Sequence, residues 1–269
     1  MYNFEFKKSL GQNFLKDENI VNKIVDEANI DKDTLVIEIG PGSGVLSKKI
    51  LSSAGFAILY EIDSRLEKIL QKNLEKYKNY KLIIKDFLEA DVLSDISPYK
   101  YKKIFIVANL PYYITTPIIT KIIEDKLPID KLVIMIQKEV ASRFVATPNS
   151  KDYGSITVLL NYYYSIKKLF DVSKNSFIPK PKVDSSVIML EKKELVPLDV
   201  DFFKTFVRDS FKYKRKNLKN NLSNYDLNRI NKILKKYNLD ITFRAENLSL
   251  EIFIELVNEL HNWSFFHNK

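Results

Sequence analysis

Five apolar, β-branched runs separated by amphipathic stretches constrain the fold of this chain more than any other feature. The runs are TLVIEIG (34–40), FAILYEID (56–63), KLIIKD (81–86), KIFIVAN (103–109) and KLVIMIQ (131–137). Between them GVLSKKILSSA, SRLEKILQKNLEKY and TPIITKIIEDKL repeat apolar residues every three or four positions, the spacing of one helix face. Strands that alternate with helices predict a parallel sheet covered on both faces. Two later runs, YSIKKLFDV (164–172) and SSVIMLEKK (185–193), are joined by SKNSFIPKPKVD and read as a hairpin pair added at one edge. From about residue 199 the pattern is purely helical. A boundary is expected in ELVPLDVD (194–201), giving domains at 1–195 and 196–269.

In such a sheet, ligands bind beyond the carboxyl ends of the strands. The first run ends in EIGPGSG (38–44), whose alternate glycines, Gly40 and Gly42 among them, let backbone approach a ligand at a helix N-terminus. Position 45 is Val, which breaks the spacing of a dinucleotide fingerprint. Glu61 ends the second run, where it can accept both hydroxyls of a ribose, and Asp86 ends the third, where it can accept from an adenine amino group. Turn glycines and capping carboxylates are the plain alternative for each motif alone. Three in register suit a nucleoside cofactor without a pyrophosphate.

The fourth run stops in VANLPYYITTP (107–117). Pro111 has no N–H to give to a ladder, so Asn109 to Tyr113 is expected to form a stiff loop at the strand's carboxyl end. An adenine amine is a poor nucleophile because its lone pair is delocalised into the ring. The Asn109 side-chain oxygen and the Leu110 carbonyl could hold its two N–H bonds and leave the lone pair aimed at a methyl donor, with Pro111 fixing the backbone and Tyr112 stacking on the base. A sulfonium donor is already activated by its charge, so the protein mainly aligns the partners.

Composition agrees with chemistry that needs no strong nucleophile. The chain has no cysteine, which excludes disulfides, thiol nucleophiles and cysteine-ligated metals. His261 and His267 are its only histidines and read as solvated or capping groups, so no metal site is expected. No stretch has the length of a membrane span, and MYNFEFKKSL lacks the apolar core of a signal peptide, which points to the cytoplasm. A net charge of +9 suggests a polyanionic partner.

Taken together these segments resemble the KsgA family of ribosomal RNA adenine N6,N6-dimethyltransferases. The resemblance runs through KKSLGQNFL (7–15), EIGPGSG, YEID, KDFLEAD, NLPYYITTPI, QKEVASRF (137–144), SKDYGSITV, FIPKPKVDSSV (177–187) and RAENLS (244–249). It implies a Rossmann-like class I methyltransferase fold: an α/β domain with a mostly parallel seven-stranded sheet and a terminal antiparallel hairpin, followed by a small all-α domain. It also implies S-adenosyl-L-methionine as the donor, held by Asn13, Leu15, Gly40, Gly42, Glu61, Asp86 and Asn109. Phe177 is similar to the family's aromatic that faces the target base opposite Tyr112. Without the resemblance, GQNFL reads as a capping and anchoring segment before a helix that begins near Asp17. Well-known relatives read N-L-P-Y-N-I-S where this chain has Tyr113 and Thr115.

The expected substrate is an adjacent adenine pair near the 3′ end of small-subunit rRNA, met by a monomer in a 30S subunit or late assembly intermediate. FKYKRKNLKNNL (211–222) carries Lys212, Lys214, Arg215, Lys216 and Lys219 without an acid. Spread around a helix, these could track phosphates; a solvated helix face is the alternative. Two other functions share parts of the pattern: a large-subunit (23S) rRNA dimethyltransferase of the macrolide-resistance type, and a non-catalytic ribosome-assembly or RNA-binding factor.

Overall fold

The structure is a computed structural model that describes residues 11–267, with side-chain surroundings for 11–261. Of KKSLGQNFL, residues 7–10 lie outside the described residues. The chain forms two compact units, one of residues 1–141 and 167–192, the other of 142–166 and 193–269. The sequence division at 195/196 differs from this partition at residues 142–166 and, by a short margin, at 193–195. Residues 142–166 group with the C-terminal helices because Tyr153, Val158 and Tyr162 bury their side chains in that unit's core.

The first unit runs β1 (Phe14–Leu15), α1 (Glu18–Ala28), β2 (Thr34–Ile39), α2 (Val45–Ser53), β3 (Phe56–Glu61), α3 (Glu67–Asn73), β4 (Tyr80–Ile84), α4 (Val92–Ile96), β5 (Lys103–Asn109), α5 (Thr115–Glu124) and β6 (Lys131–Gln137). Helix α6 (Lys138–Phe144) crosses the division, α7 (Ser155–Tyr163) belongs to the second unit, and β7 (Tyr164–Val172), β8 (Phe177–Ile178) and β9 (Ser185–Lys192) follow. Seven strands form one sheet in the order β4-β3-β2-β5-β6-β9-β7. β2, β3, β4, β5 and β6 are mutually parallel, and β9 pairs antiparallel with β6. All six residues of β2 are buried, so both sheet faces are covered at its centre.

Helix α1 starts where Asp17 caps the Asn19 N–H at 3.0 Å and ends at Asn29, which takes a left-handed conformation. Its apolar stripe Val21, Ile24, Val25 and Ala28 packs into the sheet core with Ile50 and Leu51 of α2 and Leu70 of α3. Each large aliphatic side chain so buried contributes about 1.5–3 kcal/mol of transfer free energy. That burial holds the loops at the strand ends against a rigid floor.

Strand order reverses between β2 and β5, the position where an open α/β sheet leaves a crevice at its carboxyl edge. Parallel registers such as Ile37↔Ile106 bring the ends of β2 and β5 side by side there. Antiparallel pairing of Gln137 with Ser185 carries the start of β9 to the same edge.

The second unit contains α7, α8 (Val200–Ser210), α9 (Leu218–Asn221), α10 (Leu227–Lys235) and α11 (Leu250–His267). Its core is aromatic: Phe206 meets Tyr225 edge-on at 5.2 Å, and Phe203 and Phe253 are fully buried. The RAENLS segment is structural within this unit. Ala245 and Leu248 are buried, Asn247 donates to the Asn149 side chain at 2.8 Å, and the Leu248 carbonyl accepts from the Tyr153 hydroxyl at 2.9 Å. His261 pairs with Asp199, the cap of α8, at 2.6 Å. No helix among the described residues is long and apolar enough to cross a membrane.

Candidate active site

Backbone geometry builds the site first. The Gly40 N–H reaches the Tyr60 carbonyl at 2.9 Å, and the chain then turns through Gly40, Gly42 and Gly44, all at positive φ. A Cβ on Gly42 would lie 3.0 Å from the Phe14 ring, so the turn needs glycine for space as well as for conformation. The turn ends at α2, and the Gly42 N–H donates to Glu61 Oε2 at 3.1 Å. Asp63 N–H donates to Glu61 Oε1 at 2.9 Å. Each carboxylate oxygen keeps a second lone pair, so Glu61 can still accept two ribose hydroxyls. Burial pushes the Glu61 carboxyl up, and the Asp63 and Gly42 N–H bonds oppose it.

Asp63 itself is paired with Arg65 at 2.6 Å and accepts from Gln12 at 2.7 Å. The Arg65 contact holds its carboxyl down at about 2. This pair anchors the N-terminal GQNFL segment to the end of β3. The segment continues into β1, which pairs with β8 through Leu15↔Phe177. GQNFL is thus an anchoring segment, as expected before a helix that begins near Asp17, but the Gln12–Asp63 bond that holds it joins residues 51 positions apart and carries no local signal in the sequence.

The loop after β5 ends the ladder as expected. Leu110 N–H donates to the Met135 carbonyl at 3.1 Å, and Pro111 follows with nothing to donate. Asn109 Nδ2 donates to the Asn13 carbonyl at 3.1 Å. A carbonyl can only accept, so this contact fixes the amide's orientation and leaves Oδ1 without a donor among the described residues. The Tyr112 hydroxyl meets Ser185 Oγ at 2.6 Å, which pins the half-buried ring. Burial raises the Tyr112 hydroxyl pKa, and the Ser185 bond lowers it.

A cleft open to solvent joins these parts. Asn13, Leu15, Gly40, Gly42, Glu61, Asn109, Leu110, Pro111 and Tyr112 all line it. Asp86 does not. It caps the turn after β4 by accepting the Leu88 N–H at 2.9 Å.

Phe177 departs from the expectation that it faces the target base. It is 2% exposed, does not line the cleft, and packs in the sheet core behind the β1–β8 pair. An aromatic side chain in a short paired strand gains more from burial than from solvent exposure.

The basic segment departs in another way. Residues 211–217 form turns between α8 and α9, and only Leu218–Asn221 is helical. Asn221 explains this locally, since its side chain accepts from Tyr213 N–H at 3.1 Å and donates to the Ser210 carbonyl at 2.7 Å. Lys212, Lys214, Arg215 and Lys216 are exposed on that loop and Lys219 is exposed on α9, and Lys214 is tied to the Lys151 carbonyl at 2.6 Å.

Glu38 was absent from the sequence-derived contacts although it opens EIGPGSG. It lines the cleft at 1% exposure, and burial pushes its carboxyl up to about 8. The cleft therefore holds two buried carboxyls, a glycine turn and no cationic side chain among the described residues. That donor set fits a nucleoside carrying positive charge, with Glu61 for its ribose and the glycine turn beside it, and does not suit a pyrophosphate.

Comparison with known proteins agrees. The family model described as ribosomal RNA adenine dimethylase matches residues 3–262. The chain is 43% identical to ribosomal RNA small subunit methyltransferase A of Oceanobacillus iheyensis, over 97% of this chain and 92% of that protein. It is 44% identical to the protein of the same name from a Geobacillus species, over 97% and 94%. Among solved structures, a dimethyladenosine transferase from Plasmodium falciparum superposes with a TM-score of 0.78 at 28% identity, covering 93% of this chain and 98% of that one. The 23S rRNA methyltransferase ErmE gives 0.74 at 25% identity, covering 93% and 100%. With a family model spanning nearly the whole chain and relatives this similar, the protein belongs to the ribosomal RNA adenine dimethylase family, the KsgA group of S-adenosyl-L-methionine-dependent rRNA (adenine-N6,N6)-dimethyltransferases.

Proposed function

We propose that this protein methylates N6 of two adjacent adenines near the 3′ end of small-subunit (16S) rRNA, giving dimethyladenosines during 30S subunit biogenesis. The observation that carries the catalytic part is the Asn109 amide, oriented by the Asn13 carbonyl so that Oδ1 is left open at the cleft. S-adenosyl-L-methionine, when bound, supplies an electrophilic methyl on a positively charged sulfur. The chain's own residues do the rest. Glu61 and the Gly40–Gly42 turn hold the nucleoside, with Asn13 and Leu15 closing one side. Asp86, just past β4 and outside the lining of the cleft, would take the cofactor's adenine amine. Asn109 Oδ1 and the Leu110 carbonyl accept the two N–H bonds of the target amine, so its lone pair is released from the ring and directed at the methyl. As the new N–C bond forms, the methyl's bond to sulfur would break and its electron pair return to sulfur, leaving a neutral thioether; the amine proton becomes acidic only then, and it leaves to solvent. Tyr112, pinned by Ser185, offers a face for stacking, which contributes about 1–3 kcal/mol per base.

Stacking of one base does not select an adenine pair in a ribosome. Selection falls to the second unit, whose exposed basic loop 212–219 supplies phosphate contacts to folded RNA. The protein acts as a monomer in the cytoplasm on a 30S subunit or late assembly intermediate. Relatives named for the small subunit, at 43–44% identity, support that substrate over the large-subunit reaction named for ErmE, at 25%. To test this, the protein is incubated with labelled donor and undermethylated small or large subunits, and the modified adenines are mapped by primer-extension stops. Stops at two neighbouring adenines near the small-subunit 3′ end are expected; stops in large-subunit rRNA, or none, overturn the proposal.

A further inference from the structure

The loop between α8 and α9 carries an aromatic side chain that phosphate contacts leave without a role. Tyr213 is 57% exposed, and Lys212 Nζ stands over its ring, 5.5 Å from the centroid. Its backbone is nevertheless fixed. Tyr213 N–H donates to Asn221 Oδ1 at 3.1 Å, and its carbonyl accepts from Lys216 N–H at 2.8 Å and from Asn221 Nδ2 at 3.3 Å. A second exposed ring, Phe243, is tied to the same helix: its carbonyl accepts from Leu218 N–H at 2.8 Å, and the Ile241 carbonyl accepts from Lys219 N–H at 2.9 Å. Leu218 is fully buried in this unit's core, so α9 gives both rings a rigid base. A single exposed ring needs no explanation. Two rings tied to one four-residue helix, among Lys214, Arg215, Lys216 and Arg244, make a basic aromatic face. Arg244 also meets Glu246 at 3.8 Å.

We propose that Tyr213 and Phe243 are a stacking platform for an unpaired nucleotide of the RNA, a base-recognising site on the second unit that adds to the phosphate contacts of its lysines. This rests on the reading of loop 212–219 as an RNA-facing surface. Charge selects the partner. Lysine is depleted at protein–protein interfaces, whereas rings set among cations suit a single strand, whose bases present π-faces and whose phosphates present charge. Stacking selects the conformation. A base inside a helix has both faces covered by its neighbours, so a ring on a protein surface stacks only on a base that is already unstacked. Phosphate contacts alone carry no base information. The platform therefore lets this unit sense where folded RNA leaves a nucleotide looped out.

Binding of the full chain to undermethylated small subunits, measured across salt concentrations, separates the two kinds of contact. Tyr213→Ala and Phe243→Ala should each weaken binding by about fivefold to about a hundredfold, the range for one base–aromatic stack. Their log–log salt slopes should stay within about 0.3 of wild type, because no phosphate contact is lost. Tyr213→Phe, which keeps the ring, should bind within about twofold of wild type. Tyr213→Trp adds a reporter to a chain whose single tryptophan is Trp263. After subtraction of the wild-type signal, unstructured oligouridylate at low salt should quench that reporter, and an RNA duplex of equal length should not. A loss below about threefold in either alanine variant, or quenching by the duplex as strong as by the single strand, overturns the inference alone. Weaker subunit binding by Tyr213→Ala with no quenching by either RNA assigns the ring to a protein partner and overturns it too. An unchanged salt slope after Lys212, Lys216 and Lys219 are replaced by alanine overturns the RNA-facing reading beneath it.

Discussion

Replacing Asn109 by alanine removes one of the two acceptors proposed for the target amine and leaves the rest of the cleft in place. The amide makes one hydrogen bond in the resting protein, from Nδ2 to the Asn13 carbonyl at 3.1 Å. Its loss costs about 0.5–1.5 kcal/mol of stability, which in a unit of this size lowers Tm by a few degrees. The catalytic loss is larger, because Oδ1 is oriented before the substrate arrives and its dipole matches charge that develops only as the methyl transfers. Removing one such preorganised group costs about 2.7–4 kcal/mol, or about a hundred- to a thousandfold in kcat. Glu61, the ribose partner proposed above, is untouched, so the donor's Kd should change by less than about tenfold. Single-turnover methylation of undermethylated small subunits measures the first quantity, and calorimetry with the donor measures the second. If Asn109→Ala is folded and keeps kcat within about tenfold of wild type, the paired-acceptor reasoning is wrong.

Gly42→Ala places a Cβ at φ +59° and 3.0 Å from the Phe14 ring, so it should lose about 1–2 kcal/mol by urea melt and weaken donor binding; an unchanged melt would contradict the close approach. Glu38 binds a proton in the folded state between its unfolded pKa near 4.5 and its folded value of about 8, so stability should fall as pH rises through that window. Glu38→Gln should flatten that slope, and a slope identical to wild type would mean that Glu38 is not the group responsible. Replacing Lys212, Lys216 and Lys219 by alanine should lower the log–log salt slope of ribosomal-subunit binding by about 2, with methyl transfer to a free adenosine analogue unaltered; an unchanged slope removes the loop from the interface.

The sheet was legible because its strands are unambiguous: KIFIVAN and KLVIMIQ form β5 and β6 at the expected residues. The edge hairpin was legible from YSIKKLFDV and SSVIMLEKK, which form β7 and β9. The cleft was legible at strand ends, where Glu61 and Asn109 both line it. Illegible parts depend on distant partners. Phe177 reads as an accessible aromatic until its pairing with Leu15 buries it. The basic run reads as a helix until Asn221 captures its backbone. Segment 142–166 follows the catalytic strands in sequence but joins the helical unit, since Tyr153 and Val158 are buried among its phenylalanines. Glu38 hides in a glycine motif, and only its solvent exclusion marks it out.

The most direct test is a crystal structure of the protein with S-adenosylmethionine bound. The account predicts ribose hydroxyls on Glu61 and the sulfonium methyl turned toward Asn109 Oδ1 and the Leu110 carbonyl. A donor seated away from the β2 and β5 carboxyl ends, or with its methyl facing away from that pair of oxygens, would contradict it.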